Sequence, residues 1–371
     1  MLQSILVYSF IMLVMYISGK AAFYDKRNKQ IYICISVLIF TLFAAVRYDV
    51  GVDYFSYLNE YNRLLMGLQP TRDYEPGFHI LSLILSDLHL GPTFYFGLWA
   101  IIQISLLYIA LLNFNEVKPY LGITLICFGT YFMWMNGIRQ SIALMFFLLS
   151  ISYASNKKAY KFLFCILIGY LFHKSILLVL PLYFLFASHK EIFPNIRTQL
   201  ILVIISIILG NIGVMSLVSS YINDFAVFIG YGDQLDYEEI IANQFESGRL
   251  GWGPRRIIML LINLMTIVFS PETKRYYNNP FYIALYNIFI LGVIFEMLFF
   301  ESHIVMRLFY YFTGLYFILH ACLLNYLLKN KKIMGVIYLC LFIIIFFANI
   351  YAAYLADGGH LLYNFILSIN I

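Results

Sequence analysis

The chain has 371 residues, 62% of them hydrophobic and 12% charged, whereas soluble domains run at about 45–50% apolar and about 25% charged. That balance excludes an ordinary soluble domain, and the net charge of +5 is informative only through its placement. Cys34, Cys127, Cys165, Cys322 and Cys340 all fall in apolar stretches without zinc spacing and read as small packing residues. There is no P-loop, dinucleotide glycine pattern, HExxH or nucleic-acid motif, and no internal repeat of the transporter kind.

A spanning helix needs about 20 apolar residues. In chain order the candidates are 2–19, 30–46, 93–113, 119–135, 137–154, 199–220, 256–270, 280–298, 304–328 and 333–356. The first has no basic region before it and no small-x-small cleavage site, so it reads as a span and not as a removable signal. Residues 76–88 are short and contain Asp87. Residues 160–187 are either one long helix or two short ones broken at His173-Lys174, ahead of Pro181.

Charge sets the orientation. Segments 20–30, 155–161 and 329–332 each carry net +3 and belong in the cytoplasm by the positive-inside rule. Segments 47–75 and 221–256 carry −2 and −3 and belong outside. Both placements hold only if 76–88 dips in or lies on the surface and 160–187 is a pair of short helices with His173 at an outer turn. The expected fold is all-α, a single transmembrane domain over 1–371 with about 12 transmembrane or re-entrant helices. Its extracytoplasmic parts are 47–92, with the re-entrant or surface helix, and 221–256. Re-entrant backbone persists only inside protein or beside a wet cavity, so an outward cavity is expected.

On this topology 12 of the 13 lysines are cytoplasmic, the exception being Lys174. The basic residues outside or within the membrane are otherwise Arg47, Arg63, Arg72, Arg139, Arg249, Arg255, Arg256 and Arg307. The positive-inside rule accounts for the lysines and leaves the arginines unexplained.

Five segments carry candidate chemistry. Arg47-Tyr48-Asp49-Val50-Gly51-Val52-Asp53-Tyr54-Phe55-Ser56-Tyr57 offers a cation, an acid and sugar-gripping rings, or an interfacial aromatic belt with an arginine anchor. Glu75-Pro76-Gly77-Phe78 is a helix start whose amides suit an anion; Glu75 itself is either functional or a favourable N-terminal acid. Arg139, in Arg139-Gln140-Ser141, is an intramembrane cation and functional by default, with a salt bridge to Asp53, Asp87 or Glu296 as the competing reading. His173-Lys174-Ser175 places an imidazole and an ammonium at a break, suited to a base or a neutral phosphate donor. His303 and Arg307 share a helix face with Tyr310 and Tyr311 close by. Arg255 and Arg256 start a further helix, as anion ligands or snorkelling anchors.

In this order, Arg47-Tyr48, Gly51-x-Asp53-Tyr54, Tyr57, Glu75-Pro76-Gly77-Phe78, Arg139-Gln140-Ser141-Ile142-Ala143, His173-Lys174-Ser175 and the Arg307 segment resemble the EpsG family of bacterial exopolysaccharide polymerases, similar to the Wzy O-antigen polymerases. The resemblance implies a GT-C-like membrane glycosyltransferase in the bacterial inner (plasma) membrane, with its active site facing the periplasm or outside. It would move a growing glycan from undecaprenyl pyrophosphate to the non-reducing end of another lipid-linked repeat unit. The implied partners are that lipid-linked oligosaccharide, the bilayer and a chain-length regulator, with no cofactor and no nucleic acid.

On that reading Arg47, Arg139 and Arg307 hold pyrophosphate, arginine being the better bidentate ligand for phosphate, and they do so without a metal. His173 or Asp53 takes the acceptor proton, with Glu75 also open as base. Tyr54, Tyr57, Glu75, Gln140, Lys174, Arg255, Arg256, His303, Tyr310 and Tyr311 contact substrate. The rivals are a lipid-linked oligosaccharide flippase and an O-antigen ligase-like transferase.

Overall fold

A computed structural model describes residues 1–213, 252–300, 303–355 and 362–364, without the side chains of 303 and 304. The expected outer loop 221–256 therefore lies outside the described residues as far as 251, as do Arg249, Glu301 and Ser302.

The described residues fold into helices, with no strand among them. The N-terminal half contains α1 (Leu2–Tyr24), α2 (Lys29–Ala45), α3 (Tyr54–Leu65), α4 (Pro76–Asp87), α5 (Pro92–Ala110), α6 (Lys118–Cys127), α7 (Thr130–Asn136), α8 (Ile138–Ala154) and α9 (Ala159–Tyr170). A 3-10 helix (Lys174–Val179), α10 (Leu182–Ser188) and α11 (Ile196–Asn211) follow. The C-terminal part has α12 (Pro254–Val268), α13 (Ser270–Tyr277), α14 (Pro280–Phe299), α15 (His303–Leu308), α16 (Tyr310–Thr313), α17 (Tyr316–Asn330) and α18 (Lys332–Leu355).

Local chemistry sets many of these boundaries. Proline occupies the first turn of α4, α5, α12 and α14, where its missing N–H costs nothing and its φ suits a helix. Asn195 and Asn279 cap α11 and α14 by accepting from Arg197 N and Phe281 N, each at 2.8 Å.

Five helical runs among the described residues are long and apolar enough to cross a membrane: α1, α5, α14, Tyr310–Asn330 and α18. The count becomes six if α12 and α13, bent by 57°, form one broken span. Several expected spans are shorter or broken. Residues 119–135 are two helices, separated at Phe128 and Gly129, and 304–328 passes through α15, α16 and most of α17.

The two irregular segments have clear forms. Helix α4 has 12 residues, about 18 Å at 1.5 Å per residue, too short for a hydrocarbon core of about 30 Å. Residues 160–187 break at His173, whose backbone is extended (φ −159°, ψ 119°) between α9 and the 3-10 helix. These two elements touch: Gly77 N donates to Leu171 O at 2.8 Å. A Cβ on Gly77 would lie 2.9 Å from that carbonyl oxygen, so only glycine permits the approach.

The loops segregate to two ends of the bundle. At one end Lys329 pairs with Glu116 at 2.7 Å, Lys331 with Glu272 at 2.8 Å and Lys274 with Glu191 at 2.7 Å. His189 Nε2 lies 2.8 Å from Ser155 O at the same end. At the other end Tyr363 returns to the chain start, its N–H donating to Ser4 Oγ (2.9 Å) and its hydroxyl to Phe43 O (2.6 Å). Most of the buried apolar residues form one core. A second, aromatic-rich cluster joins α3 and α4 to α5 and α8 through Tyr57, Tyr61, Phe78, Tyr95 and Trp99.

Candidate functional site

The site grows from the junction of α7 and α8. Asn136 closes α7, and its side-chain oxygen accepts from Asp53 N at 2.7 Å, fixing the turn that follows Arg47. Gly51, at φ +102°, makes that turn possible, and a Cβ there would meet Asn136 Oδ1 at 3.3 Å. The start of α3 is thereby fastened to the start of α8, two segments more than 80 positions apart (|i−j| = 83).

Arg139 follows in the first turn of α8. Its Nη1 donates to the Glu75 carboxylate, and its guanidinium lies 5.0 Å from the centroid of the Tyr74 ring and 5.9 Å from that of Phe78. The Tyr57 hydroxyl also interacts with Arg139, and both Asp53 and Glu75 act on it electrostatically. Glu75 is nearly buried and Arg139 about a quarter exposed, with side-chain exposures of 9% and 28%. The cation is thus oriented by a buried acid while one side of it stays open.

His173 approaches from the broken 160–187 segment. Its Nδ1 accepts from Ser175 N (3.4 Å) and lies 2.6 Å from Ser175 Oγ. An amide N–H can only donate, so Nδ1 is the bare nitrogen and the neutral ring carries its proton on Nε2. Ser175 Oγ then donates to Nδ1 and accepts from Tyr311 OH at 3.1 Å. The charges of Glu75, Arg139 and Arg307 all act on this imidazole. Gln140 completes the frame by donating from Nε2 to Arg307 O at 2.6 Å, which ties α8 to α15.

A family model described as the EpsG family matches residues 30–366. The chain belongs to the EpsG family. This is a Wzy-like polymerase family. No curated protein and no solved structure matches the chain.

In this EpsG-family protein Asp53, Tyr57, Glu75, Gln140, Arg139, His173, Arg307 and Tyr311 come together. Other candidates are placed differently. Arg47 is 2% exposed; its Nη1 donates to Ala44 O (2.7 Å) and its Nη2 to Met135 O (3.1 Å). Its guanidinium lies 4.4 Å from the Phe96 centroid and 5.8 Å from that of Tyr54. These hydrogen bonds tie α2 to α7. Tyr54 is 1% exposed and stacks on Phe96 at 4.9 Å, so its ring faces the core.

Arg255 and Arg256 form a second locus. Arg256 packs against Phe300 (3.4 Å) and Trp252 (4.4 Å), and both arginines act on Glu296 of α14. Glu296, one proposed partner for Arg139, thus stands with these two. Lys174 is exposed beside His173, and Tyr310 has its hydroxyl buried near Trp134. His303 opens α15, but its side chain lies outside the described residues.

Tyr74, Asn136 and Ser175 take roles here that the sequence did not assign. The signal for Ser175 was its place two residues after His173, the spacing at which a cap bonds back to the ring.

Proposed function

We propose that the protein is a polysaccharide polymerase that transfers a growing glycan from a polyprenyl pyrophosphate, undecaprenyl pyrophosphate in bacteria, to the non-reducing end of a second lipid-linked repeat. The observation that carries this reading is the meeting of Arg139, Glu75, His173 and Arg307 from four distant segments. They lie at the end of the bundle away from the paired lysines, which supports a site on the outer face of the inner membrane. The about 12 passes, the GT-C-like arrangement and the outer loops 47–92 and 221–256 belong to the same reading.

The acceptor hydroxyl oxygen bonds to the anomeric carbon of the donor sugar, and the bond from that carbon to the pyrophosphate oxygen breaks. The electron pair leaves on pyrophosphate. Arg139 and Arg307 stabilise that charge as it develops, and His173 donates from Nε2 to a phosphate oxygen. Glu75 is occupied by Arg139, so the acceptor proton goes to Asp53, which is half-exposed at the start of α3 and close to Tyr57. Arg47 acts as a positioning residue that holds the Asp53 turn against α7. Tyr57 and Gln140 brace the two phosphate-binding arginines, with Lys174, Arg255 and Arg256 available to the glycan or the second lipid.

Purified protein supplied with lipid-linked repeats tests this directly. Chain growth on the lipid carrier that persists in EDTA supports the metal-free mechanism, and growth that needs added metal overturns that part. A flippase gives no longer chains, and a ligase joins glycan only to a lipid A core acceptor.

A further inference from the structure

At the lysine end of the bundle, three cations have carboxylate partners. Lys274, Lys329 and Lys331 pair with Glu191, Glu116 and Glu272. The loop joining α8 to α9 brings three lysines close together. Among the described residues no carboxylate lies within ion-pair distance of Lys157, Lys158 or Lys161. Lys157 and Lys158 are exposed. The Lys161 ammonium sits 5.5 Å from the ring centroid of Tyr153 and 5.8 Å from that of Tyr160.

From this loop a groove of about 550 Å³ runs between the two helices, lined by Phe146, Leu149 and Tyr153 of α8 and by Lys161, Phe164 and Ile168 of α9. Its size falls in the range of about 300–1,000 Å³ typical of small-molecule sites. The two helices are antiparallel, so Tyr153 and Lys161 mark one mouth, and Phe146 and Ile168 lie about 10 Å away along the axis at 1.5 Å per residue. The outer face of α9 is apolar and open: Tyr160 is 70% exposed, Phe164 63% and Leu167 61%. In a helix from a membrane protein, such a face meets lipid.

We propose that this groove binds an anionic glycerophospholipid, with its phosphate on Lys157, Lys158 and Lys161 and one acyl chain lying between α8 and α9. The charge pattern selects the occupant. A neutral lipid would satisfy the apolar wall and leave three adjacent ammonium groups without a counter-charge. A soluble anion would satisfy the lysines and leave the wall unfilled. Basic pockets between helices on the cytoplasmic side recognise acidic headgroups, and each nearby lysine adds attraction to an anionic surface. The two tyrosines suit the same depth, where amphipathic rings settle at the headgroup level.

The groove also reaches toward the candidate site. Phe146 stacks on Phe172 at 5.9 Å and 17°, and Phe172 precedes His173. Helix α8 itself begins with Arg139 one residue after Ile138. A chain wedged between α8 and α9 therefore braces the helices that carry Arg139 and His173, and makes the geometry of the site dependent on the lipid around it.

The experiment measures lipid retained by the purified full-length protein, using native mass spectrometry after exchange into detergent with equal amounts of dioleoyl phosphatidylglycerol and dioleoyl phosphatidylcholine. The expected result is retention of phosphatidylglycerol about tenfold or more over phosphatidylcholine, given the worth of each lysine. Combined Lys157→Gln, Lys158→Gln and Lys161→Gln substitutions bring the two to parity while the protein stays monodisperse. Equal retention by the wild type, or undiminished phosphatidylglycerol retention by the triple variant, overturns the proposal. So does displacement of the bound lipid by equimolar undecaprenyl phosphate, which would make the carrier the true occupant. Lipid retention is read without any glycan substrate, so its outcome is separate from that of the polymerisation assay.

Discussion

Arg139 Nη1 donates to the carboxylate of Glu75, 64 positions upstream, and this bond joins the first turn of α8 to the start of α4. The Arg139 plane also rests on Tyr74, a contact that the compact lysine ammonium does not reproduce. Arg139→Lys is therefore expected to lower the polymerisation rate by about 10²–10³, the size of effect seen when a transition-state donor is removed. Glu75→Gln, which keeps an acceptor, is expected to lose less. Wild-type chain growth by Arg139→Lys in the lipid-linked repeat assay removes this residue from the mechanism.

His173 makes a distinct prediction because its Nδ1 is already engaged by Ser175. A donor role is partly preserved in His173→Gln and lost in His173→Ala, whereas a base role is lost in both. Ser175→Ala releases the ring orientation, and small misplacements of a participating group lower the rate. The expected order of chain-growth rates is wild type, then His173→Gln and Ser175→Ala, then His173→Ala. Equal inactivity of the Gln and Ala variants returns His173 to the list of bases.

The outline of this site was legible in the sequence because intramembrane arginine and a His-Lys pair at a forced break are costly in lipid and stand out against it. The short apolar run at 76–88 was legible directly, and the parity of charged loops anticipated that 160–187 breaks at His173. For Arg47 the sequence leaves two readings open, for a physical reason. A cation at the end of a span looks the same in sequence whether its donors face substrate or backbone carbonyls, and only the positions of Ala44 O and Met135 O separate the two. The unbroken apolar run 119–135 hid a discontinuity because Gly129, at φ +73°, adds no polarity to mark it. The role of Asn136 depends on a partner, the Asp53 N–H, that spacing alone cannot supply.

Arg47 should behave as a structural residue. Arg47→Ala removes donors from two buried carbonyls and a cation from the face of Phe96. Hydrogen bonds to charged groups contribute about 1.5–3 kcal/mol each, so a marked drop in thermal stability and yield is expected. The Michaelis constant for lipid-linked donor in the protein that folds should change little. A raised Michaelis constant with unchanged melting would instead place Arg47 against the substrate.

Gly77 offers a test that leaves every polar group in place. Gly77→Ala puts a methyl 2.9 Å from the Leu171 side chain and carbonyl, so the start of α4 must move off the turn carrying His173. Overpacking of this kind costs about 1–3 kcal/mol. Chain growth should fall by at least about tenfold, since small misplacements of reacting groups are amplified in rate. Normal rates in a folded Gly77→Ala protein would show that contact between α4 and the His173 turn is not needed.

The lysine end predicts the pH dependence of stability. Burial alone would raise the Glu116 carboxyl, but the hydrogen bonds from Lys329, Tyr276 and Asn325 more than offset it and hold it below its ordinary value of 4.5. Bonds from Lys331 and Tyr326 lower Glu272 in the same way. A carboxylate whose folded value lies below its unfolded one contributes stability above the unfolded value and loses it as pH falls through the folded one. Thermal unfolding in detergent should therefore be flat from neutral pH to about pH 5 and decline below it. Both pairs are well exposed, at about 40%, and exposed pairs are worth at most about 1 kcal/mol each. Combined Glu116→Gln and Glu272→Gln should thus cost little at neutral pH and flatten the acid limb, and an acid limb as steep as the wild type's would assign the pH dependence to other groups.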